Sequence, residues 1–286
     1  GARHIPLPRI PNSDAAGEVI SVGEDVTGFA PGDRVASCFF KRWSAGQIRG
    51  PVMQSALGGE EEGMLSEETI LPESALVSVP PHLTWEEAST LTCAGVTAWH
   101  GLVTRGGLKA GDSVLLLGTG GVSIFALQFA KLMGARVIIT SKSDAKLERA
   151  RGLGADETIN YADTPDWDEA VTKLTGGVGV NHVVEVGGAG TLQKSVSALA
   201  FGGHIALIGV LTKGELNPYP LLSKSGRISG IYVGSREMFQ NMNAAISTGG
   251  MRPVIDRIFD FQDAPAAYHC MQGDGHFGKI VIRVTP

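Results

Sequence analysis

The spacing of apolar residues changes twice along the chain and divides it into three successive parts. Residues 1 to about 97 carry short apolar runs broken by glycine and proline, a pattern typical of β-strands joined by turns. Strands are predicted at 17–22, directly after the turn-forming segment PGDRV at 31–35, at 69–71 and at 75–79. The aperiodic segment between them ends in the acidic run GGEEEG at 58–63, which we interpret as a solvated loop.

The middle part opens with the signature of a helix start. Thr84 supplies a hydroxyl N-cap, Glu86 and Glu87 follow in the first turn, and the helix is predicted to extend through Trp99 toward Leu102. Strand-like runs follow at 113–117, 135–140, 157–160, 181–186, 203–209 and 228–233. Helical patterns separate the first five of these runs, at 122–133, 144–152, 166–175 and 190–200. This alternation predicts an α/β fold with a parallel, doubly wound, six-stranded sheet.

The last part returns to a mixed pattern. A helix is predicted at 236–248, and strands at 254–259 and 279–284 enclose a further helical segment. We therefore predict that a doubly wound domain, residues 98–236, is inserted into a β-rich domain built from residues 1–97 and 237–286.

Glycines lie where the first strand of the predicted parallel sheet meets the first helix, in the segment DSVLLLGTGGVS at 112–123. Gly118 permits a tight turn, and Gly120 has no Cβ, so backbone N–H groups can approach a pyrophosphate at the helix N-terminus. Ser123 stands where a third glycine is usual, so the motif alone is weak. Its place on the first strand of a doubly wound sheet makes it a strong indication of a Rossmann dinucleotide-binding domain.

The end of the second strand bears on the choice of dinucleotide. Domains that bind NAD usually carry Asp or Glu there, about 20 residues past the glycines, to bind the ribose 2′-OH. Here the strand RVIIT is followed by Ser141, Lys142 and Ser143, and Asp144 belongs to the start of the next helix. Hydroxyls and an ammonium group suit a 2′-phosphate, which a carboxylate would repel. We predict NADP(H) as the cofactor; the alternative is that Lys142 is only a solvated loop lysine.

Composition and charge narrow the class of protein. The length of 286 residues suggests one large or two ordinary domains. With 43% hydrophobic and 19% charged residues, the composition is typical of a globular protein with a large core. The net charge of −5, with basic residues scattered, argues against nucleic acid or an anionic membrane as partner. No apolar run approaches the ~18 residues of a membrane span. The cysteines, Cys38, Cys93 and Cys270, lie far apart, which suits a reducing, cytoplasmic compartment.

Eight stretches together resemble the medium-chain dehydrogenase/reductase superfamily, most of all its zinc-independent quinone oxidoreductase branch. They are PNSDAAGEVISVG (11–23), PGDRV (31–35), LTCAGVTAWHGL (91–102), GDSVLLLGTGGVS (111–123), INY (159–161), VVEVGG (183–188), IALIGVL (205–211) and FGKIVI (277–282). The resemblance covers nearly the full chain and is specific as a set. It implies that the β-rich domain is GroES-like. Since that domain begins some dozens of residues earlier in the family, we expect this chain to lack the opening strands.

The resemblance also implies roles around a bound dinucleotide. By position, Thr97 and Val210 would lie near the nicotinamide; Gly118, Gly120, Gly121, Val122 and Lys279 near the pyrophosphate; Ser141, Lys142 and Tyr161 at the adenosine 2′-phosphate; and Val186 and Gly187 on the adenosine side. Two of these residues could instead have a purely structural role. Tyr161 could cap a strand, and Lys279 could be an exposed strand residue.

Zinc-containing members of this superfamily hold their catalytic metal with Cys, His and Cys. Their His-Glu pair falls on Ser13 and Asp14 here, and their second cysteine falls on Cys93. A serine hydroxyl is a poor zinc ligand beside imidazole, and one thiolate does not define a tetrahedral site. The four-cysteine structural lobe is also missing, because residues 39–63 hold no cysteine. We predict no metal.

The resemblance implies hydride transfer from NADPH to a quinone, an enone or another activated carbonyl. Conjugated acceptors fit a reaction without a Lewis acid, because their negative charge delocalises. The candidate catalytic residues are Ser13, Asp14 and Thr97, and the candidate acceptor-pocket residues are Phe39, Phe40, Arg42 and Trp43. Asp14 could instead bond only turn amides, and the aromatic residues are equally suited to a core.

Two other functions stay open: an NAD(P)-dependent alcohol dehydrogenase of the same fold, and a non-enzymatic NADPH-binding protein. The segment 227–233 is predicted as an apolar edge strand of the sheet, and unpaired edges associate unless covered. Because the family pairs the equivalent strands across a two-fold axis, we predict a homodimer.

Overall fold

The structure, a computed structural model, describes residues 5, 7–273 and 275–285. The chain divides into two compact units, Gly1–Val96 together with Val233–Pro286, and Thr97–Tyr232. The boundaries expected from the sequence, 97/98 and 236/237, fall near these divisions. None of the helices in the described residues combines the length and hydrophobicity that a membrane span requires.

Strands and helices occupy most of the predicted positions. In chain order, the strands of the described residues are β1 (Ala16–Glu18), β2 (Arg34–Ser37), β3 (Leu76–Ser78), β4 (Ser113–Leu117), β5 (Arg136–Ser141), β6 (Glu157–Asn160), β7 (Val180–Glu185), β8 (Leu199–Leu207), β9 (Arg227–Gly230), β10 (Ile255–Asp260) and β11 (Lys279–Arg283). The α-helices are α1 (Trp85–Ser89), α2 (Val96–Trp99), α3 (Gly121–Leu132), α4 (Asp144–Gly152), α5 (Trp167–Leu174), α6 (Ala189–Ala198), α7 (Tyr219–Ser223), α8 (Arg236–Gly249) and α9 (Ala264–Gln272). Short 3₁₀ segments lie at Gly50–Ser55, Glu73–Ala75 and Phe261–Asp263. Two π-helical segments lie at Leu91–Gly95 and His100–Arg105.

The unit Thr97–Tyr232 is built on a six-stranded sheet with the order β6-β5-β4-β7-β8-β9. Every neighbouring pair is parallel, as Leu115 opposite Ile138 on one side of β4 and Val183 on the other illustrates. These strands read as continuous apolar runs because both faces of a doubly wound sheet are covered by helices. Trp167 and Val196, from α5 and α6, pack on one face and are buried. The predicted α/β fold is confirmed.

The unit that contains both chain ends has two small sheets. One is antiparallel with the order β1-β2-β3, and the other pairs β10 with β11 in parallel. No strand forms at 69–71, where one was predicted. Ile70 is 97% exposed there, and the segment pairs with neither edge of the β1-β2-β3 sheet. The helix predicted at Thr84 does form, with a capping box in which Glu87 N donates to Thr84 Oγ1 (3.2 Å) and Thr84 N donates to Glu87 Oε2 (2.8 Å).

Two buried histidines lie on neighbouring strands at the amino ends of the parallel sheet. His182 on β7 pairs in register with His204 on β8, and their rings contact edge to face with centroids 6.2 Å apart. Neither ring nitrogen of His204 has a hydrogen-bond partner among the described residues. Burial, together with the charges of His182, Arg227 and Arg105, lowers the pKa of His204 to about 4. His204 is therefore an uncharged core residue near neutral pH.

This burial predicts acid sensitivity. In the unfolded chain His204 titrates near 6.5, so the folded state loses stability as pH falls from 6.5 toward 4, by about 2 kcal/mol at pH 5. Because neither ring nitrogen is bonded, His204→Phe should lose no hydrogen bond and should reduce the drop in unfolding free energy between pH 7 and pH 5. Urea unfolding at both pH values measures this, with the exposed His269→Gln as the control. An unchanged drop in His204→Phe would contradict the linkage.

Candidate functional site

Five of the segments expected to contact a cofactor come together at one edge of the parallel sheet. Strands β4, β5, β6, β7 and β8 all end at this edge. β5 ends at Ser141 itself, Gly118, Tyr161 and Val186 directly follow β4, β6 and β7, and Val210 lies three residues past β8. Ligands of doubly wound sheets bind outside the carboxyl ends of the strands, so this edge is the candidate dinucleotide site.

The glycine turn after β4 has the geometry that a pyrophosphate needs. Gly118 adopts a φ of +70°, which favours glycine, and a Cβ added at Gly120 would project into open space. Gly120 is the N-cap of α3, and no side chain caps the first turn of that helix. The backbone N–H groups around Gly121 and Val122 are therefore free of side-chain caps at the positive end of the helix dipole, where a phosphate binds.

Ser123 explains why the third glycine of the usual motif is dispensable here. Its side chain is 1% exposed, and its hydroxyl donates to Leu117 O at 2.7 Å. The hydroxyl thus satisfies the last carbonyl of β4 at the point where the helix packs against the strand. A small polar residue fits this contact as well as glycine does.

The carboxyl end of β5 carries no carboxylate. Ser141 is buried, accepts a hydrogen bond from Ser143 N at 3.3 Å on its hydroxyl, and accepts from Tyr161 N at 3.1 Å on its carbonyl. Lys142 is exposed, and the ring of Tyr161 is 40% exposed. Asp144 lies in the first turn of α4 and accepts from Asn160 Nδ2 at 2.9 Å. The groups presented directly after β5 are thus hydroxyls and an ammonium.

A buried carboxylate organises the turn after β7, and it was not among the candidates from sequence. Glu185 is fully buried. Its Oε1 accepts from the backbone N–H groups of Gly187 (2.8 Å) and Gly188 (3.0 Å) and from Thr191 Oγ1 (2.6 Å), while Oε2 accepts from Ser195 Oγ. The signal in the sequence was an acid inside a continuous apolar strand followed by two glycines. A buried charge has to be paired or hydrogen-bonded.

The same turn is closed on its other side by the segment after β8. Ile208 N and Gly209 N both donate to Glu185 O, and Thr212 Oγ1 donates to Gly187 O at 3.0 Å. Val186 is half-buried, whereas Val210 is 89% exposed. The backbone of Gly187, and of Ile208 and Gly209 just before Val210, is therefore fixed by hydrogen bonds at the candidate cofactor edge.

The candidate catalytic residues belong to both units. Thr97 is buried on α2, in the unit of the parallel sheet. Two residues later on the same helix, Trp99 packs edge to face on Phe129 of α3, with ring centroids 5.4 Å apart. Ser13 and Asp14 belong to the other unit, in which Ser13 Oγ donates to Asp14 Oδ1 at 2.6 Å. Asp14 Oδ2 accepts from Cys93 N at 3.4 Å.

Lys279 on β11 also reaches this carboxylate. Its Nζ lies 3.6 Å from Asp14 Oδ2, and both side chains are largely buried. Sequence reasoning treated the two residues separately, Lys279 as a cofactor ligand and Asp14 as a catalytic candidate. The structure joins them in one ion pair, so Asp14 does more than bond turn amides.

Asn12 and Tyr268 extend the cluster, and sequence reasoning missed both. Tyr268 on α9 donates to Asn12 Oδ1 at 2.6 Å, and Asn12 holds a left-handed backbone conformation with φ of +68°. Burial raises the pKa of Tyr268, so its hydroxyl stays protonated. Asn12, Ser13, Asp14, Cys93, Tyr268 and Lys279 all line a groove of about 2000 Å³ in this unit.

The acidic run 58–63 holds this loop in place and is more than a solvated loop. Gly63 N donates to Ile10 O at 2.8 Å, and Met64 N donates to Asn12 O at 2.8 Å. Glu62 accepts from Ile10 N at 2.8 Å and pairs with Arg9 at 3.0 Å. The prediction missed these contacts because the partners lie about fifty residues apart in the chain.

The four residues predicted for an acceptor pocket lie outside the lining of this groove. Phe40 and Trp43 are 1% and 4% exposed and form an edge-to-face cluster with Phe39 in the core of their unit. Arg42 is exposed and donates to Gln54 O at 3.0 Å. None of the four lines the groove at Asn12–Asp14. Packing, the alternative weighed for these aromatics, accounts for Phe40 and Trp43.

The residues at the zinc positions of the family do not form a zinc donor set. A serine stands at the histidine position, and the Asp14 carboxylate is engaged by Ser13 and Lys279. Within the described part of the chain, no three His, Cys, Asp or Glu side chains are arranged to hold a metal. A tetrahedral zinc site needs four such ligands or three with water.

Two family descriptions match the chain. Residues 1–81 match the alcohol dehydrogenase GroES-like domain, and residues 121–248 match the zinc-binding dehydrogenase family. A zinc-type alcohol dehydrogenase-like protein of Schizosaccharomyces pombe is 44% identical over 97% of this chain and 83% of its own length. Human quinone oxidoreductase is 26% identical over 96% of this chain and 80% of its own length. A 2-haloacrylate reductase of Burkholderia is 29% identical over 96% and 81%.

Solved structures agree on the architecture. An alcohol dehydrogenase homologue from Sinorhizobium meliloti superposes with a TM-score of 0.93 at 44% identity, covering 98% of this chain and 83% of that one. A structure described as an NAD-dependent alcohol dehydrogenase gives 0.88 at 34% identity, over 98% and 84%. A mycobacterial protein complexed with NADPH gives 0.80 at 27% identity, over 98% and 84%. Relatives of this chain thus include proteins described with each dinucleotide.

Proposed function

The chain belongs to the medium-chain dehydrogenase/reductase superfamily and is an oxidoreductase of that family, and on this premise we propose that it transfers hydride from NADPH to a quinone, an enone or another activated carbonyl acceptor without zinc. The observation that carries the choice of cofactor is the end of β5. Hydroxyls and the exposed ammonium of Lys142 stand where an NAD site usually places a carboxylate.

The residues of this chain supply binding and orientation. The α3 N-terminus and the glycine turn hold the pyrophosphate through backbone N–H groups. Ser141, Lys142 and Tyr161 bind the adenosine 2′-phosphate, and the Glu185-braced turn presents Val186 and Gly187 to the adenosine. The bound nicotinamide supplies the hydride, and the protein mainly positions it.

The choice of acceptor class follows from the donor set at Ser13 and Asp14. Without a zinc ligand set, a simple ketone has no Lewis acid to polarise it. A conjugated acceptor spreads the charge that hydride addition creates, and a hydroxyl or water can then deliver the proton. Ser13, Asp14 and Thr97 are the proposed polar groups for this step. The names of the quinone oxidoreductase and 2-haloacrylate reductase relatives support the choice.

An alcohol dehydrogenase is the second candidate, because the S. pombe and S. meliloti relatives carry that description. An NAD(P)H-oxidation screen across quinones, enones and aldehydes, with alcohol oxidation and metal analysis in parallel, separates the two. We expect turnover of conjugated acceptors by metal-free protein. Stoichiometric zinc with alcohol oxidation would overturn the proposal, and NADPH binding without any turnover would assign a non-enzymatic role.

The NADPH preference should depend on Lys142. Lys142→Glu removes the ammonium and adds a charge that repels the 2′-phosphate, so we expect the KM for NADPH to rise about 30-fold, or about 2 kcal/mol. The KM for NADH should change less than about threefold, because its ribose carries no phosphate. Steady-state kinetics with both dinucleotides measure this. Lys173→Glu is a matched control, on an exposed lysine in the last turn of α5 in the same unit. Equal changes for both dinucleotides in Lys142→Glu would contradict the assignment.

We further propose that the protein forms a homodimer through β9. We also propose that it resides in the cytoplasm. β9 has a single neighbour in its sheet, β8, so one side of its backbone is unpaired within the sheet. Cys38, Cys93 and Cys270 form no disulfide bond within the described part of the chain, which supports a reducing compartment. Light scattering on a gel-filtration peak tests the dimer, and a monomer mass at micromolar concentration would contradict it.

A further inference from the structure

A second polar cavity lies at the amino ends of the parallel-sheet strands, the edge that the dinucleotide does not use. It has a volume of about 150 Å³. The loop before β4, the starts of β7 and β9, and the bend in β8 form its walls, with Gly106, Gly107, Gly202 and Gly203 among the lining residues. This space is sized for a compact ion and is too small for a nucleotide.

Positive charge and donors dominate the walls. Lys109 and Arg227 line the cavity, and both side chains are exposed. Asn181 also lines it, with its Oδ1 held by Ser113 N (2.8 Å) and Ser113 Oγ (2.9 Å). Since the amide oxygen faces Ser113, the Nδ2 group is left to donate.

The carboxylate of the cavity is already engaged. Asp112 Oδ2 accepts from Lys109 N at 2.8 Å and pairs with His182 Nε2 at 3.0 Å. The two cations of the lining, Lys109 and Arg227, outnumber this carboxylate. The fields of Arg105 and Arg227 reach the inner histidine and help to lower the pKa of His204.

His182 forms the buried part of the wall. It is 5% exposed, and its Nδ1 has no hydrogen-bond partner among the described residues. With Nε2 bonded to Asp112, Nδ1 is an acceptor in the neutral ring and a donor in the protonated ring. Burial lowers the pKa of His182, and a bound anion would favour the protonated form.

We infer that this cavity binds a compact oxyanion through Lys109, Arg227 and Asn181, against the buried ring of His182. A cation would meet an excess of positive charge, and an apolar ligand would bury unpaired donors. Phosphate, sulfate and small carboxylates share the required chemistry. This site is independent of the hydride-transfer proposal, because its residues take no part in that reaction.

Sulfate is the primary probe, since its charge does not change between pH 6 and pH 8. The full chain is titrated with sulfate while chloride keeps the ionic strength constant, and binding is measured by calorimetry and by thermal unfolding. We expect saturable binding that is tighter at pH 6 than at pH 8. Arg227→Gln and Lys109→Gln should each weaken binding about tenfold, whereas Lys213→Gln should leave it unchanged. Thermal midpoints in chloride establish that all three variants are folded.

Histidine ring NMR gives a second readout that does not depend on the variants. Sulfate should shift the ring resonances of His182 and raise its pKa, by linkage with the tighter binding at low pH. If acetate binds more tightly than sulfate or phosphate, the site is assigned to small carboxylates, and the inference of an oxyanion site is still supported. Equal binding by all variants, or an effect that chloride reproduces at the same ionic strength, would overturn the inference.

Discussion

Glu185→Ala should lower the free energy of unfolding by about 3–5 kcal/mol, a large effect for a single substitution. The variant removes the carboxylate that accepts from two backbone N–H groups and two hydroxyls, and both Glu185 and Ser195 are fully buried. Hydrogen bonds to a charged group contribute about 1.5–3 kcal/mol each, and they are not additive within one network. The result is measured by urea unfolding.

The same substitution should weaken NADPH binding. The Glu185 side chain braces the turn that carries Val186 and Gly187, proposed here as adenosine contacts, and Thr212 from the segment after β8 bonds to Gly187 O in the same turn. We expect at least a tenfold rise in the dissociation constant, read by quenching of protein fluorescence at a temperature where the variant is folded. The rise should be similar for NADH, because both dinucleotides share the adenosine.

Two controls separate the role of the buried carboxylate from that of any acidic residue. Glu185→Gln keeps one acceptor oxygen for the glycine N–H groups and can donate to Ser195 Oγ, so it should cost about half as much as alanine. Glu169→Ala removes an exposed acid on α5 in the same unit and should change stability by less than about 0.5 kcal/mol. Equal stability of Glu185→Ala and Glu169→Ala would contradict the role of this network.

The sequence predicted the parallel sheet well because its signal is local. β4 and β6 occupy the predicted residues, and the end of β5 falls one residue from its predicted place, since apolar runs bounded by glycine and polar residues mark buried strands. The segment 69–71 has a similar apolar run, but a strand also needs a neighbour to pair with. β8 begins earlier than predicted, at Leu199, because the bend at Gly202 interrupts the pattern without ending the pairing.

The candidate site was only partly predictable for a related reason. The glycine turn and the end of β5 are contiguous in the chain, so their chemistry is readable from a few residues. The pairs Lys279–Asp14 and Tyr268–Asn12 join segments more than 250 residues apart, and local pattern carries no information on them. Phe40 and Trp43 show the opposite difficulty, since an aromatic cluster in sequence fits a core and a pocket equally well.

Gly63→Ala should destabilise the unit that contains both chain ends about as much as Glu185→Ala destabilises the parallel-sheet unit, although alanine adds only one methyl group. An added Cβ would overlap the backbone carbonyl oxygens of Ile10, Pro11 and Asn12, and backbone atoms cannot move aside as a flexible side chain does. We expect a loss of about 3 kcal/mol in unfolding free energy, at the upper end for an overpacked site.

The loop that must shift carries the proposed catalytic groups. Displacing Asn12 breaks its contact with Tyr268 and moves Ser13 and Asp14, whose hydrogen bonds depend on the same backbone. A misplacement of about 1 Å can cost on the order of 100-fold in rate, so kcat/KM for the best acceptor should fall at least tenfold in protein that is still folded.

Gly59→Ala is the matched control, four residues earlier in the same acidic loop. Its added Cβ would lie 3.5 Å from Ala56 O and 3.7 Å from Ala56 Cβ, which is ordinary contact. Stability and kcat/KM should therefore stay close to those of the parent chain. If Gly63→Ala and Gly59→Ala behave alike, the acidic run is the solvated loop that its composition suggests. A selective loss in Gly63→Ala establishes instead that residues 58–63 position the Asn12–Asp14 loop.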